Sequence, residues 1–274
     1  MSNPMPLSAP QSGGTPFDLL EPKTIQFYLN SLDVLEATGL PFAVGGAYAL
    51  AFYAGIVRHT KDLDIFVKRS EAPLVIDAFE RTGHVTAWTH PHWIAKAFSP
   101  DGEDFIDIIH GSGNGITVVD DEWLANSEEG EVLGRPVRIC PAEEILWSKC
   151  FIQERERFDG ADVAHLLLAR AAQLDWDRLL HRFGGHEAIL LSHLILFSYI
   201  YPSERDRIPK AVVEELMRRA QADTGGEEKL CRGTLLSYSQ YLVDINDRSY
   251  IDPRLSPRGG MTPEQVLRWT NAPK

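Results

Sequence analysis

Residues 58–67 read RHTKDLDIFV, and a short way upstream residues 42–46 read FAVGG. DLDIFV has the apolar content of a strand heading for a core, yet Asp62 and Asp64 alternate with Leu63 and Ile65. Alternation places both carboxylates on one face, with Cα atoms about 6.5–7 Å apart. Like charges that close repel unless something positive lies between them. Such a pair can converge on two divalent ions roughly 3.5–4 Å apart. A third acid stands in DFIDIIHG, residues 104–111. There Ile106 and Ile108 take one face and Phe105, Asp107 and Ile109 the other, so Asp107 sits in an apolar strand where an unpaired charge is costly. Three acids on neighbouring strands make a magnesium site.

FAVGG supplies the complementary half. A strand that ends in Gly45–Gly46 and opens a helix exposes backbone N–H groups at the positive end of that helix, a site for phosphate oxygens. The missing side chains let a triphosphate approach the backbone closely.

The bulk properties narrow the class. The chain has 274 residues, 44% apolar and 24% charged, with a formal charge of −12. This is the balance of a globular protein with length for one large domain or two smaller ones. The negative field disfavours a polynucleotide partner outside a local basic patch. No apolar run approaches the ~18 residues of a membrane span. The opening MSNPMPLSAPQSGGTP lacks a basic start and an apolar segment, so it reads as a disordered leader rather than a signal peptide. Cys140, Cys150 and Cys231 show no CxxC spacing, which argues against a zinc site or a disulfide framework and points to a reducing cytoplasm.

The periodicity predicts a leader over 1–22, an α+β domain over 23–140 and a helical domain over 141–274. Helices are expected at 24–40, after Gly46, and at 71–83 with Pro73 in the first turn. Strands are expected at 41–44, 62–67, 84–90, 92–99, 104–111 and 115–120. A hairpin over 130–140 should turn at Gly134–Arg135. From Pro141 the pattern is helical, with Glu143 and Glu144 as first-turn acids. Residues 247–260 read as an irregular linker.

The order VGG (44–46), DLDI (62–65), FIDII (105–109) resembles the signature of the polymerase-β-like nucleotidyltransferase superfamily. RHTKDLD, with Arg58 and Thr60 ahead of the acids, is similar to its AbiEii-type and minimal-nucleotidyltransferase branch. So is PAEEILWSKCFIQERERFDGADVAHLL (141–167), where Lys149, Arg157, Asp159 and Asp162 match a lysine helix followed by an Arg…Asp-x-x-Asp segment. Residues 47–61 separate Gly46 from Asp62, a gap longer than in the aminoglycoside-modifying enzymes and suited to the AbiEii-like branch. The resemblance covers about residues 40–168. It implies a mixed sheet with flanking helices, and the periodicity adds an all-helical region after it. It also implies transfer of a nucleoside monophosphate from a nucleoside triphosphate to an acceptor hydroxyl, with pyrophosphate released. The acceptor stays open among small molecule, protein and RNA. In that scheme Asp62, Asp64 and Asp107 are catalytic and hold Mg2+ or Mn2+, while Gly45, Gly46, Arg58 and Lys149 contact phosphates. The alternative is a nucleotide-binding module without turnover, such as a toxin–antitoxin partner.

Other patterns carry less. His84, His90, His92 and His110 cluster in one region, but no HExxH or CxxC accompanies them. HEAILLSH (186–193) spaces its histidines seven apart, not four, and reads as core helix. GSGNG (111–115) reads as a hairpin loop, and Lys61 as a solvated charge.

Overall fold

A computed structural model describes residues 20–57, 60, 62–223, 225–226 and 228–271. The expected leader falls almost wholly outside these residues, as do Arg58 and Lys61.

The strands are β1 (Ala43–Val44), β2 (Asp62–Phe66), β3 (Val85–His90), β4 (Ile94–Phe98), β5 (Phe105–Ile109), β6 (Glu128–Val132) and β7 (Arg135–Ile139). They form one mixed sheet in the order β3-β4-β5-β2-β1-β7-β6. β2 runs parallel to β5 and antiparallel to β1, so the two strands predicted to carry the acids are neighbours at the sheet centre. Leu63, Ile65, Ile106 and Ile108 are fully buried. They join an apolar cluster with α1 (Pro22–Ala37) and α3 (Ala72–Arg81), whose Tyr28, Leu32, Val75 and Phe79 recur at helical spacing. The opposite face of β2 and β5 presents the aspartates.

α2 (Gly46–Ala54) follows β1, and α4 (Asp121–Ala125) precedes β6. The Asp120 carboxylate caps α4 by accepting from Trp123 N at 2.8 Å. The expected strand at 115–120 does not form. Side chains answer its amides instead: Ile116 N donates to Asn114 Oδ1 and Thr117 N to Ser112 Oγ, each at 3.0 Å. The 111–115 loop is therefore not a hairpin loop. The hairpin of β6 and β7 turns one residue earlier than expected, on Leu133 and Gly134, which have φ of 54° and 75°. Two successive left-handed residues are what a tight hairpin with this twist requires.

Among the described residues every regular helix or strand after Pro141 is helical: α5 (Ala142–Cys150), α6 (Gly160–Arg170), α7 (Trp176–Arg182), α8 (Glu187–Ile200), α9 (Lys210–Ala222), α10 (Leu242–Asn246) and α11 (Pro263–Thr270). Glu143 and Glu144 do more than start α5. Both are buried, and Arg178 of α7 pairs with each at 2.6 Å, while Arg182 links Glu144 to Asp120. Burial drives the Glu144 carboxyl upward, and Arg178 and Arg182 act against it. α5 is thereby locked to α7 and α4 through ions as well as through the apolar cluster that Leu146, Trp147, Leu179 and Trp123 share. The 247–260 segment is irregular, fastened by a buried Asp252–Arg254 pair at 2.7 Å. No helix among the described residues is long and apolar enough to cross a membrane.

Candidate active site

The site begins where β1 ends. Gly45 N donates to the Asp64 carbonyl at 3.0 Å, pinning the glycine turn to β2. Gly46 has φ of +55°, and a Cβ there would lie 1.7 Å from Asp64 Oδ2; a Cβ on Gly45 would lie 2.3 Å from the Phe66 ring. The first glycine makes room for a ring and the second for a carboxylate. The first-turn amides of α2 have no intrahelical acceptors, and Gly46 and Ala47 line the cleft beside Asp64.

Strand register brings the acids together. Asp64 lies directly opposite Asp107 across the β2–β5 ladder, and Asp62 follows two residues away on the same face. One oxygen from each of Asp62, Asp64 and Asp107 lies within 4.8 Å of the others. Thr60 Oγ1 donates to Asp62 Oδ1 at 2.6 Å. On the other flank Lys96 of β4, in register with Asp107, reaches Asp107 Oδ1 at 2.5 Å. Burial pushes the Asp64 carboxyl up to about 7, with Asp62 and Asp107 adding to the shift. Burial also raises Asp107, against the pull of Lys96. Three convergent carboxylates are the hard oxygen donors that Mg2+ or Mn2+ selects, and the missing Cβ of Gly46 leaves Asp64 space to serve. The residues present fit a divalent cation.

Lys149, on α5, lines the same cleft of about 700 Å³. Its ammonium is held at 2.8 Å by both Asp159 and Asp162. Arg157 grips Asp159 through Nε at 3.0 Å and Nη2 at 3.1 Å. Burial acts to raise Asp159, but Arg157 and Lys149 prevail and hold it below the usual carboxylate range. Lys149 is thus a fixed charge on the cleft wall.

Of the residues predicted from sequence, the structure gathers Gly45, Gly46, Asp62, Asp64, Asp107 and Lys149 around one cleft or its glycine turn; Arg58 lies outside the described residues. Sequence reasoning missed Lys96. Its signal was available, since IAKAF (94–98) carries one polar residue on the face of an apolar strand, as FIDII does. It also missed Trp93, Tyr238 and Trp269, which line the cleft. The last two lie far along the chain from the motifs.

Residues 24–182 match the family described as nucleotidyl transferase of unknown function, DUF2204. Among solved structures the chain is similar to the antibiotic-resistance factor ANT(2'')-Ia, with 18% identity and a TM-score of 0.42 over 64% of this chain and 98% of that one. It is similar to the lincosamide antibiotic adenylyltransferase LnuA, with 18% identity and a TM-score of 0.37 over 54% and 96%. An antigenic nucleotidyltransferase-like protein from Paracoccidioides brasiliensis gives 14% identity and a TM-score of 0.41 over 69% and 93%. No curated protein matches the chain.

Proposed function

The chain belongs to the DUF2204 family of nucleotidyl transferases, and we propose that it moves a nucleoside monophosphate from a nucleoside triphosphate to an acceptor hydroxyl, with Mg2+ or Mn2+ as cofactor. The observation that carries this reading is the convergence of Asp62, Asp64 and Asp107 beside a glycine whose Cβ would displace one of them. Asp62 and Asp64 would hold the cation with the triphosphate, and Asp64 with Asp107 a second. Bound there, the cation neutralises charge on the phosphates and on the leaving pyrophosphate. The α2 amides and Gly46 receive phosphate oxygens, and Lys149 adds a positive wall. Asp107 takes the acceptor's proton as its oxygen bonds to the α-phosphorus and the bond to pyrophosphate breaks. Thr60 and Lys96 fix the outer two carboxylates, so catalysis is mostly positioning and charge neutralisation. The nucleotidyltransferase-like domain of residues 23–140 carries the acids, and the helical domain of 141–274 closes the cleft.

Purified protein incubated with α-labelled triphosphates, Mg2+ and cell extract tests the proposal. Label passing to an acceptor, with pyrophosphate released, is the expected result. Nucleotide binding without label transfer would make the chain a binding module instead.

A further inference from the structure

The cleft has a second end, and its chemistry differs from the first. Along the sheet Gly46 meets Asp64 on β2, Asp107 follows on β5, and β4 comes next, preceded by Trp93. The acids therefore lie between the glycine turn and Trp93. Beyond the acids the cleft is walled by Trp93, Tyr238 and Trp269, and the last two fall outside the stretch matched by the family.

This wall is built, not incidental. The Trp269 ring centroid stands 5.3 Å from that of Trp93 and 5.1 Å from that of Tyr238. A Cβ on Gly113 would lie 2.3 Å from the Trp269 indole, so a glycine there admits the ring. Trp269 packs its ring on buried His90 at 4.9 Å between centroids, yet α11 contributes no fully buried residue and all three rings are only half-buried, leaving part of each on the cleft wall. The C-terminal segment is tied to the family-matched stretch at three places. Asn114 Nδ2 donates to the Leu235 carbonyl at 2.8 Å, and Arg268 Nη2 to the Trp88 carbonyl at 3.0 Å. Glu154 accepts from Ser237 Oγ at 2.5 Å and from Tyr238 N at 2.9 Å.

Among the described residues the cleft-lining cations are Lys149 and Arg157, and both are engaged by Asp159. Arg268, tied to the Trp88 carbonyl, stands beside the aromatic end but does not line the cleft. The described lining therefore offers a polyanionic backbone no unengaged cation, whereas ring faces stack on aromatic side chains and cations are drawn to them.

We propose that Trp93, Tyr238 and Trp269 form the acceptor subsite, and that the acceptor is a small uncharged or cationic molecule with a ring face beside its reacting hydroxyl. The inference rests on the nucleotidyl-transfer reading above. The hydroxyl oxygen bonds to the α-phosphorus, the bond to pyrophosphate breaks, and the proton passes to Asp107.

The test gives the full chain Mg2+ and α-labelled ATP, GTP, CTP and UTP with three separate acceptor pools: the dialysable fraction of a cell extract, total RNA, and dialysed protein. Label should enter a dialysable product. With that product's acceptor, Trp269→Ala should raise KM at least tenfold yet keep the Tm shift produced by magnesium–nucleotide. Trp269→Phe should restore most of the affinity. If Trp269→Ala does not fold, Tyr238→Ala reads the same KM. Label in RNA or protein overturns the proposal. So does label in no pool while nucleotide still stabilises the chain, or a Trp269→Ala effect on nucleotide affinity in place of acceptor KM. Neither stabilisation nor transfer with any nucleotide would sink the nucleotidyl-transfer reading itself.

Discussion

A Cβ on Gly46 would lie 1.7 Å from Asp64 Oδ2, so the glycine turn and the Asp64 carboxylate are one device. The sequence suggested that Gly46 leaves room for phosphate; the structure shows that it leaves room for Asp64. Gly46→Ala must both hold φ at +55°, which costs a non-glycine residue about 1–2 kcal/mol, and push the carboxylate aside. We expect a folded protein with a modestly lowered Tm and no stabilisation by magnesium–nucleotide in thermal-shift assays. Wild-type stabilisation would break the link between turn and carboxylate.

The acid cluster sets a pH dependence. In the metal-free protein the Asp64 carboxyl is pushed up to about 7 by burial and by Asp62 and Asp107, from an ordinary value of 3.8. The folded state then holds this proton more tightly than the unfolded chain. Asp64's contribution to stability is full below about pH 4 and is lost as the pH rises through 7. Asp64→Asn should therefore melt higher than wild type at pH 8, with the advantage vanishing near pH 4. Melting curves in chelator across this range check it, and an Asn variant less stable at pH 8 would contradict it.

Lys96 offsets part of that repulsion by pairing with Asp107. Lys96→Met leaves a buried carboxylate without its cation, at a cost of about 1–3 kcal/mol in the metal-free state. The same change removes a competitor for divalent ions. Calorimetric titration with Mn2+ should show several-fold tighter binding than wild type, and weaker binding would mean that Lys96 supports the ion instead of competing with it.

Lys149 serves two carboxylates at once. Lys149→Met should lower stability by on the order of 3 kcal/mol, because Asp159 and Asp162 lose a shared partner, and nucleotide affinity should fall with it. Denaturant unfolding separates the two effects. A variant of unchanged stability would mean that the cation is dispensable to the α5–α6 junction it holds.

The sheet centre was legible because DLDIF alternates and FIDII sets one acid in an apolar run, and the two-residue period of a strand fixes which side chains share a face whatever the partner strand. VGG was legible for a similar reason, as two glycines at a strand–helix join leave few local alternatives. The segment at 115–120 was misread because Ser112 and Asn114 capture its amides, a competition that β-propensity does not register. Glu143 and Glu144 looked like ordinary first-turn acids, since their partners Arg178 and Arg182 lie on another helix. Trp269 could not be placed at all. Its contact with Gly113 joins residues that no local pattern relates.

The most direct test of the central claim is the transfer rate of Asp64→Asn measured beside its melting temperature. Asp62, Asp64 and Asp107 lie close enough to share an ion, so removing one charge should leave the fold intact or firmer at neutral pH. Transfer of α-label from a nucleoside triphosphate should nevertheless fall by a factor of order 10²–10⁴, the scale of losing a group that stabilises transition-state charge. An Asp64→Asn protein that unfolds, or that transfers label at the wild-type rate, would contradict the account.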